Sequence, residues 1–252
     1  MIPDFLAPFA TQLEQYKLES IKIMAKPLKT DLCVSIASNF GGLPYLPFAA
    51  QYPTEPNGKP LLLLAQINLS ELPTNDLLPK DGLLQFYMPA HDWGYTDYAR
   101  VLYISFDQLQ TEIRTDYSFL LPTHYKDSPI ACEHKLIFEK TFEYGATQDC
   151  RFGANFNGLD SHEFVDTLTK VEQDIFYGFL SSNGHKLGGY ASFTQDDPRE
   201  NDSQSGIDVQ LLQIDVDKKI MFGDAGIAHF FINEQALKDG RFKEAYFYWD
   251  CC

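Results

Sequence analysis

The chain lacks any apolar run long enough to cross a bilayer. Its longest, Leu61 to Ala65, has the length of a strand, whereas a spanning helix needs about 20 apolar residues. No membrane segment is expected. Cysteine is scarce and unpatterned. The five thiols (Cys33, Cys132, Cys150, Cys251, Cys252) are odd in number and scattered, which suits a reducing compartment without structural disulfides. Cys251 and Cys252 form either a strained vicinal disulfide or, as a reducing compartment favours, two free thiols. Met1-Ile2-Pro3-Asp4-Phe5 has neither the basic start nor the apolar core of a secretory signal, and a cytoplasmic location is expected.

Basic residues are also few, 20 Lys and Arg against 35 Asp and Glu, a net charge of −15. Polyanion binding draws its affinity from cations that displace phosphate counterions, so nucleic acids and anionic membranes are excluded as expected partners. A basic protein surface suits this field.

Catalytic and cofactor signatures are absent. There is no Gly-x-Ser-x-Gly elbow, phosphate-cradling loop or dinucleotide fingerprint, and no cofactor is expected. The six histidines (His91, His124, His134, His162, His185, His229) include no pair at helical ligand spacing. Cys132-Glu133-His134 is the nearest approach to a metal-ligand pair and reads better as a strand start, so no metal is expected.

What the chain does have is apolar and aromatic substance: 44% hydrophobic and 14% aromatic, with 20 Phe and 14 Tyr. That is enough for a large core, and the rings favour strands. It also has an internal repeat. Gly41-Gly42-Leu43-Pro44-Tyr45 matches Gly188-Gly189-Tyr190-Ala191-Ser192, and Leu64-Ala65-Gln66-Ile67-Asn68 matches Leu211-Leu212-Gln213-Ile214-Asp215, both at an offset of 147. Gly82–Met88 matches Gly226–Ile232, and Val101–Ile104 matches Ala245–Tyr248, at an offset of 144.

Each copy reads as a double-glycine turn followed by three strands, with a helix before it. Phe5, Phe9 and Leu13 mark the first helix. Asp160-Ser161-His162-Glu163 is a capping box for the second, with Phe164, Leu168, Val171 and Ile175 on one face. Between the copies a strand is expected with Leu136, Phe138 and Phe142 on one face and Glu139 and Glu143 on the other. The fold class is α+β, predominantly β, with internally duplicated strand-rich units in a pseudo-twofold arrangement. A single domain over residues 1–252 is expected, with repeats over about 1–110 and 150–252.

Three groups are candidates for a ligand or partner site. The most distinctive is Gln195-Asp196-Asp197-Pro198-Arg199, either a polar binding loop or a tight turn at Asp197-Pro198 capped by Arg199. The second is Gln66 and Asn68 with Gln213 and Asp215, which either line a groove where the copies meet or hydrogen-bond strand-end backbone. The third is Asp224 and Trp249. The indole is either a binding surface or a peg for the last strand. None is a catalytic assignment.

Those same segments, with Gly223-Asp224-Ala225-Gly226 and Trp249-Asp250-Cys251, resemble the YwqG-like family of bacterial proteins, which carry a domain of unknown function. The resemblance runs over nearly the whole chain in motif order. It implies a bacterial cytoplasmic domain, mostly β and internally duplicated, and it transfers no catalytic residue. The expected function is a non-catalytic binding protein for a basic partner, in one form a toxin or effector neutraliser. The alternative is a small-ligand binder or hydrolase using an acidic groove between the repeats.

Overall fold

The computed structural model describes residues 2–29, 33–95, 98–201 and 208–251. Ten strands form one sheet: β1 (Leu18–Pro27), β2 (Asn39–Phe40), β3 (Leu62–Asn68), β4 (Leu83–Met88), β5 (Arg100–Ile104), β6 (His134–Glu143), β7 (Lys186–Gly188), β8 (Asp208–Ile214), β9 (Ile227–Asn233) and β10 (Tyr246–Asp250). Their order is β10-β9-β8-β7-β1-β6-β2-β3-β4-β5. Each pairing is antiparallel. The end strands β5 and β10 approach one another, so the sheet curls nearly closed.

The period of two along each strand sets what lies inside. Ile21, Ile23, Leu136, Leu187, Leu212 and Phe230 point inward into the main core. Phe86 and Phe230 meet there edge-to-face with ring centroids 5.0 Å apart. The outer faces at the two ends of the sheet are covered by loops. Over β3 and β4 lies an apolar layer including Leu46, Tyr52, Leu63, Tyr87 and Tyr117. Over β8 and β9 lies a smaller one of Ala191, Phe193 and Phe231.

The registers repeat from one end of the sheet to the other. Asn39 pairs with Gln66, and Lys186 with Gln213. The β3–β4 ladder slips between Leu63 and Ala65, and the β8–β9 ladder between Gln210 and Leu212. The last strand corrects the expected alignment. Leu83 pairs with Ile104 and Ile227 with Asp250, so the registers of β5 and β10 match at an offset of 146, not the expected 144. Sequence similarity alone had slipped this strand by two residues, a shift that leaves each side chain on its expected face.

The helices also differ from expectation. The first begins as a 3₁₀ segment, Asp4–Phe9, which accommodates Pro8, and continues as α1 (Ala10–Gln15). After a short helix α2 (Phe106–Leu109), the expected second helix is two, α3 (Ser161–Asp166) and α4 (Lys170–Phe179). Asp160 caps α3 as expected, and Thr169 starts α4 with a capping box of its own. That break turns Val171 and Ile175 outward, 68% and 44% exposed, and buries Phe176 instead. Phe9, Phe156, Phe164 and Phe176 stack in one cluster that joins the first helix to α3 and α4. On β6, Phe142 is exposed, contrary to the expected apolar face, and lies beneath the ammonium groups of Lys17 and Lys140. A last helix, α5 (Glu234–Lys238), follows β9.

Candidate functional site

The most polar part of the interior lies outside β7–β10, where residues 190–195 cross the sheet. A buried segment must satisfy its backbone N–H groups. Here six consecutive N–H groups donate to side-chain oxygens: Tyr190 to Glu143, Ala191 to Asp149, Ser192 to Gln213, Phe193 to Gln148, and Thr194 and Gln195 both to Asp250. Three of those acceptor residues are carboxylates, and buried carboxylates need compensating cations.

Cations are present for Glu143 and Asp149, whereas Asp250 has no ion-pair partner among the described residues. Lys186 Nζ reaches Glu143 at 2.8 Å. Arg151 donates from Nε to Asp149 Oδ1 at 2.9 Å and from Nη2 to Oδ2 at 2.7 Å. Arg199 makes the same two-point contact with Asp197, at 2.8 and 2.5 Å, and its Nη2 also lies 3.0 Å from Asp149 Oδ2. Lys186, Arg151 and Arg199 thus balance Glu143, Asp149 and Asp197. The Arg199 guanidinium also stacks 4.5 Å from the Phe231 ring centre.

Ionisation follows from these contacts. Burial pushes the Asp149 carboxyl up, but hydrogen bonds and charge from Arg151, the charge of Arg199 and the Ala191 N–H outweigh it. The group is held well below the carboxylate range. For Asp197, burial is likewise overcome by Arg199 and the Cys150 N–H. Burial lowers Lys186 against the opposing pull of Glu143. Burial also drives His229 down to about 3, with the charges of Arg199 and Lys186 adding to it. Asp149, Cys150 and Asp197 bring ligand atoms within 4.8 Å of one another. Both carboxylates are already held two-point by arginines, and burial pushes the Cys150 thiol up to about 12. The trio is therefore built for neutralising arginines rather than for holding a cation.

The sequence candidates are distributed around this network rather than gathered into one groove. Asp197 and Arg199 belong to it, and the expected turn forms, with Arg199 N–H donating to Asp197 Oδ1. Gln195 reaches Cys251 O, while Asp196 is exposed. Gln213 holds a loop, its Nε2 donating to Ser182 O and Gly184 O. Gln66 does the same at the other end of the sheet, with Ser35 O and Ala37 O as acceptors. Asn68 caps the turn at residues 69–71, and Asp215 accepts from Gly184 N–H. Strand-end backbone pairing is thus what these four residues do.

Asp224 is exposed in its turn. Trp249 is a peg: it packs on Trp93 at 4.8 Å, and a Cβ at Gly94 or Gly223 would come within 2.8 or 2.7 Å of the indole. Cys252 lies outside the described residues, and Cys251 is a free thiol. Glu143 lies on the face opposite Leu136 and Phe138, as expected, and there pairs with Lys186. Asp149, Arg151 and Lys186, which no sequence motif singled out above, complete the network together with Asp250 of the terminal Trp249-Asp250-Cys251 segment. The signal was an Asp-x-Arg pattern, at Asp149-Cys150-Arg151 and Asp197-Pro198-Arg199, though the same pattern at Asp239-Gly240-Arg241 forms only an exposed ion pair.

A cavity of about 570 Å³ adjoins the network. Its walls come from segments far apart in the sequence: Leu77 and Leu78 precede β4, while Val209 and Leu237 belong to β8 and α5. Arg151 and Gln210 lie where the cavity meets the buried charges. Gly188, at φ +65°, keeps the space open to the opposite wall, since a Cβ there would meet Leu77 Cδ1 at 2.6 Å. No described helix is long and apolar enough to cross a membrane.

The fold and cavity define a mainly β protein with a curled antiparallel sheet and a cavity between strands β1, β7 and β8, helix α5 and the loop before β4. The family described as Domain of unknown function (DUF1963) matches residues 38–251, and the chain belongs to that family. No curated protein matches it.

Proposed function

We propose that this protein binds a small organic ligand in the cavity between β1, β7, β8, α5 and the loop before β4, without turning it over. The observation that carries this reading is the cavity itself. Its volume of about 570 Å³ lies within the usual span for small-molecule sites, and such sites combine apolar walls with a few fixed polar groups. The groove expected from the sequence is thereby moved. Its polar lining includes Arg151, Gln210 and Asp76 and none of Asp196, Asp197, Asp215 and Asp224. Hydrolysis has lost its expected carboxylates, because Asp197 and Asp215 are occupied by backbone or arginine and Asp196 and Asp224 face solvent. A basic protein partner retains the net charge of −15 as its support, and toxin or effector neutralisation has none beyond that.

The reading also includes a duplicated origin within one domain. Support comes from the matched registers and bulges, and from β1 and β6. Lys22 borders Lys186, and Lys135 borders Asn39. Lys22 also pairs with Glu139, Met24 with Ile137 and Lys26 with Lys135. These registers suit a pseudo-twofold axis through the Met24–Ile137 pair, with each unit's first strand lying against the other unit. The second unit then begins near His134 rather than near residue 150. The YwqG-like grouping and a bacterial cytoplasmic setting belong to the same proposal and rest on motif order and the scattered thiols.

The test is titration with N-phenyl-1-naphthylamine, a neutral apolar fluorophore. Saturable enhancement in the native protein, lost in Leu237→Trp, is expected. Enhancement that is unsaturable, or unchanged in a folded Leu237→Trp, would remove the cavity as the site.

A further inference from the structure

Resting on the ligand-binding reading of the cavity, the pairing pattern of its polar wall narrows the ligand class. Of the charged groups lining it, most are already matched. Glu19 pairs with Lys140, Glu234 with Lys238, and Arg151 with Asp149. The Arg151 side chain is 11% exposed, and its Nε and Nη2 are engaged by Asp149 and Gly189 O. That leaves Nη1 as its nitrogen without a hydrogen bond among the described residues. At the rim, Asp76 is exposed and has no ion-pair partner among the described residues. Subtracting the internal pairs leaves one mostly buried guanidinium donor and one exposed carboxylate in a lining that also includes Leu18, Leu77, Leu78, Val209 and Leu237.

We infer that the cavity takes a zwitterion with an apolar body, its carboxylate at Arg151 and its ammonium at Asp76, of the size and chemistry of a short apolar peptide. A purely anionic ligand would meet Asp76 and the field of a chain carrying −15, and like charge suppresses encounter. A purely cationic one would place no acceptor opposite the inner arginine. A guanidinium nitrogen meeting a carboxylate away from bulk water gives the stronger, charge-assisted class of hydrogen bond. Size is consistent: extended chain spans about 3.5 Å per residue, so a dipeptide reaches across a space of this volume without threading out.

The experiment is calorimetric titration with Leu-Phe, its C-terminal amide and its N-acetyl form, beside N-phenyl-1-naphthylamine as the neutral control. Leu-Phe is expected to bind, with amidation weakening it about tenfold or more and N-acetylation weakening it about two- to fivefold, because the rim carboxylate is solvated. Asp76→Asn, a change at an exposed side chain, should abolish the acetylation effect and leave the amidation effect intact. Arg151→Lys should reduce the amidation effect. Binding of all three peptides with equal affinity overturns the zwitterion assignment. So does binding of the fluorophore with none of the peptides, and in that case the cavity reading survives. Failure of the fluorophore and the peptides together overturns both.

Discussion

Over β3 and β4 the covering loop is held largely through its carbonyls, whereas over β8 and β9 it is held through its N–H groups. In the first case Tyr117 Oη donates to Pro44 O, Gln85 Nε2 to Tyr45 O, and Arg114 Nη2 to Phe48 O and Ala50 O. Those donors are mostly neutral, and aromatic packing fills the remaining space. In the second, acceptors are required, and Glu143, Asp149 and Asp250 supply them. The frame beneath is otherwise alike. Gln66 accepts from Tyr45 N–H as Gln213 accepts from Ser192 N–H, and each amide donates to two loop carbonyls. The choice of which backbone group to satisfy brings buried negative charge into one end of the sheet. Lys186, Arg151 and Arg199 follow as counter-charges to Glu143, Asp149 and the neighbouring Asp197, and Arg151 carries that chemistry to the cavity wall.

The comparison breaks most sharply at its arginines. Arg199→Ala leaves Asp149 and Asp197 buried with less compensation and is expected to cost about 3–5 kcal/mol in urea unfolding. Arg114→Ala at the other end should cost only about 1 kcal/mol. Comparable losses would mean that the buried charge is not what distinguishes the two ends.

Gln66→Leu and Gln213→Leu sharpen the shared frame. Each strands loop backbone groups, so each should cost about 2–4 kcal/mol, with the two losses similar. A large inequality would show that only one end relies on its glutamine.

Acid stability separates the ends next. His229 pairs with Gln213 as Gln85 pairs with Gln66, is fully buried, and bonds Gln210 through Nδ1. Its native value of about 3 lies below its ordinary 6.5, so between those values the unfolded chain binds the extra proton. Stability must therefore fall with falling pH across that window, by about 1.4 kcal/mol per pH unit from this group at most. Asp149 and Asp197, also held low by their partners, add losses as pH falls toward their native values. His229→Gln should flatten the window by about one proton, read from urea midpoints at pH 4 and 6. An unchanged slope would assign the acid limb to the carboxylates alone.

The smallest effects belong to Asp196→Asn and Asp224→Asn. Both side chains are exposed, and each change should stay within about 0.5 kcal/mol and leave fluorophore binding unaltered. A loss of binding in either would restore the acidic groove.

The strands were legible because their signals are local. Leu61 to Ala65 and the Gly-bounded runs carry period-two or continuous apolar patterns, and the matched offsets located their partners. The register of β10 was not legible, since aromatic residues at Tyr246, Phe247 and Tyr248 fit either slip. Gln66, Asn68, Gln213 and Asp215 were visible as repeated polar residues after a strand, and their backbone role was among the alternatives. The buried charge network was hidden for a different reason. Glu143, Asp149 and Lys186 look like surface residues one at a time, and only the path of residues 190–195 brings them together. The cavity was least legible of all, because its walls come from segments far apart in the sequence, at residues 18–19, 76–79, 151, 188–189, 209–210 and within 234–240.

The most direct measurement is a crystal structure of the protein grown with N-phenyl-1-naphthylamine. The account predicts the fluorophore between Leu77 and Leu237, with the Asp149–Arg199 network unchanged. Density for it against exposed Phe48 or Phe106 instead, with the cavity holding only solvent, would contradict the account.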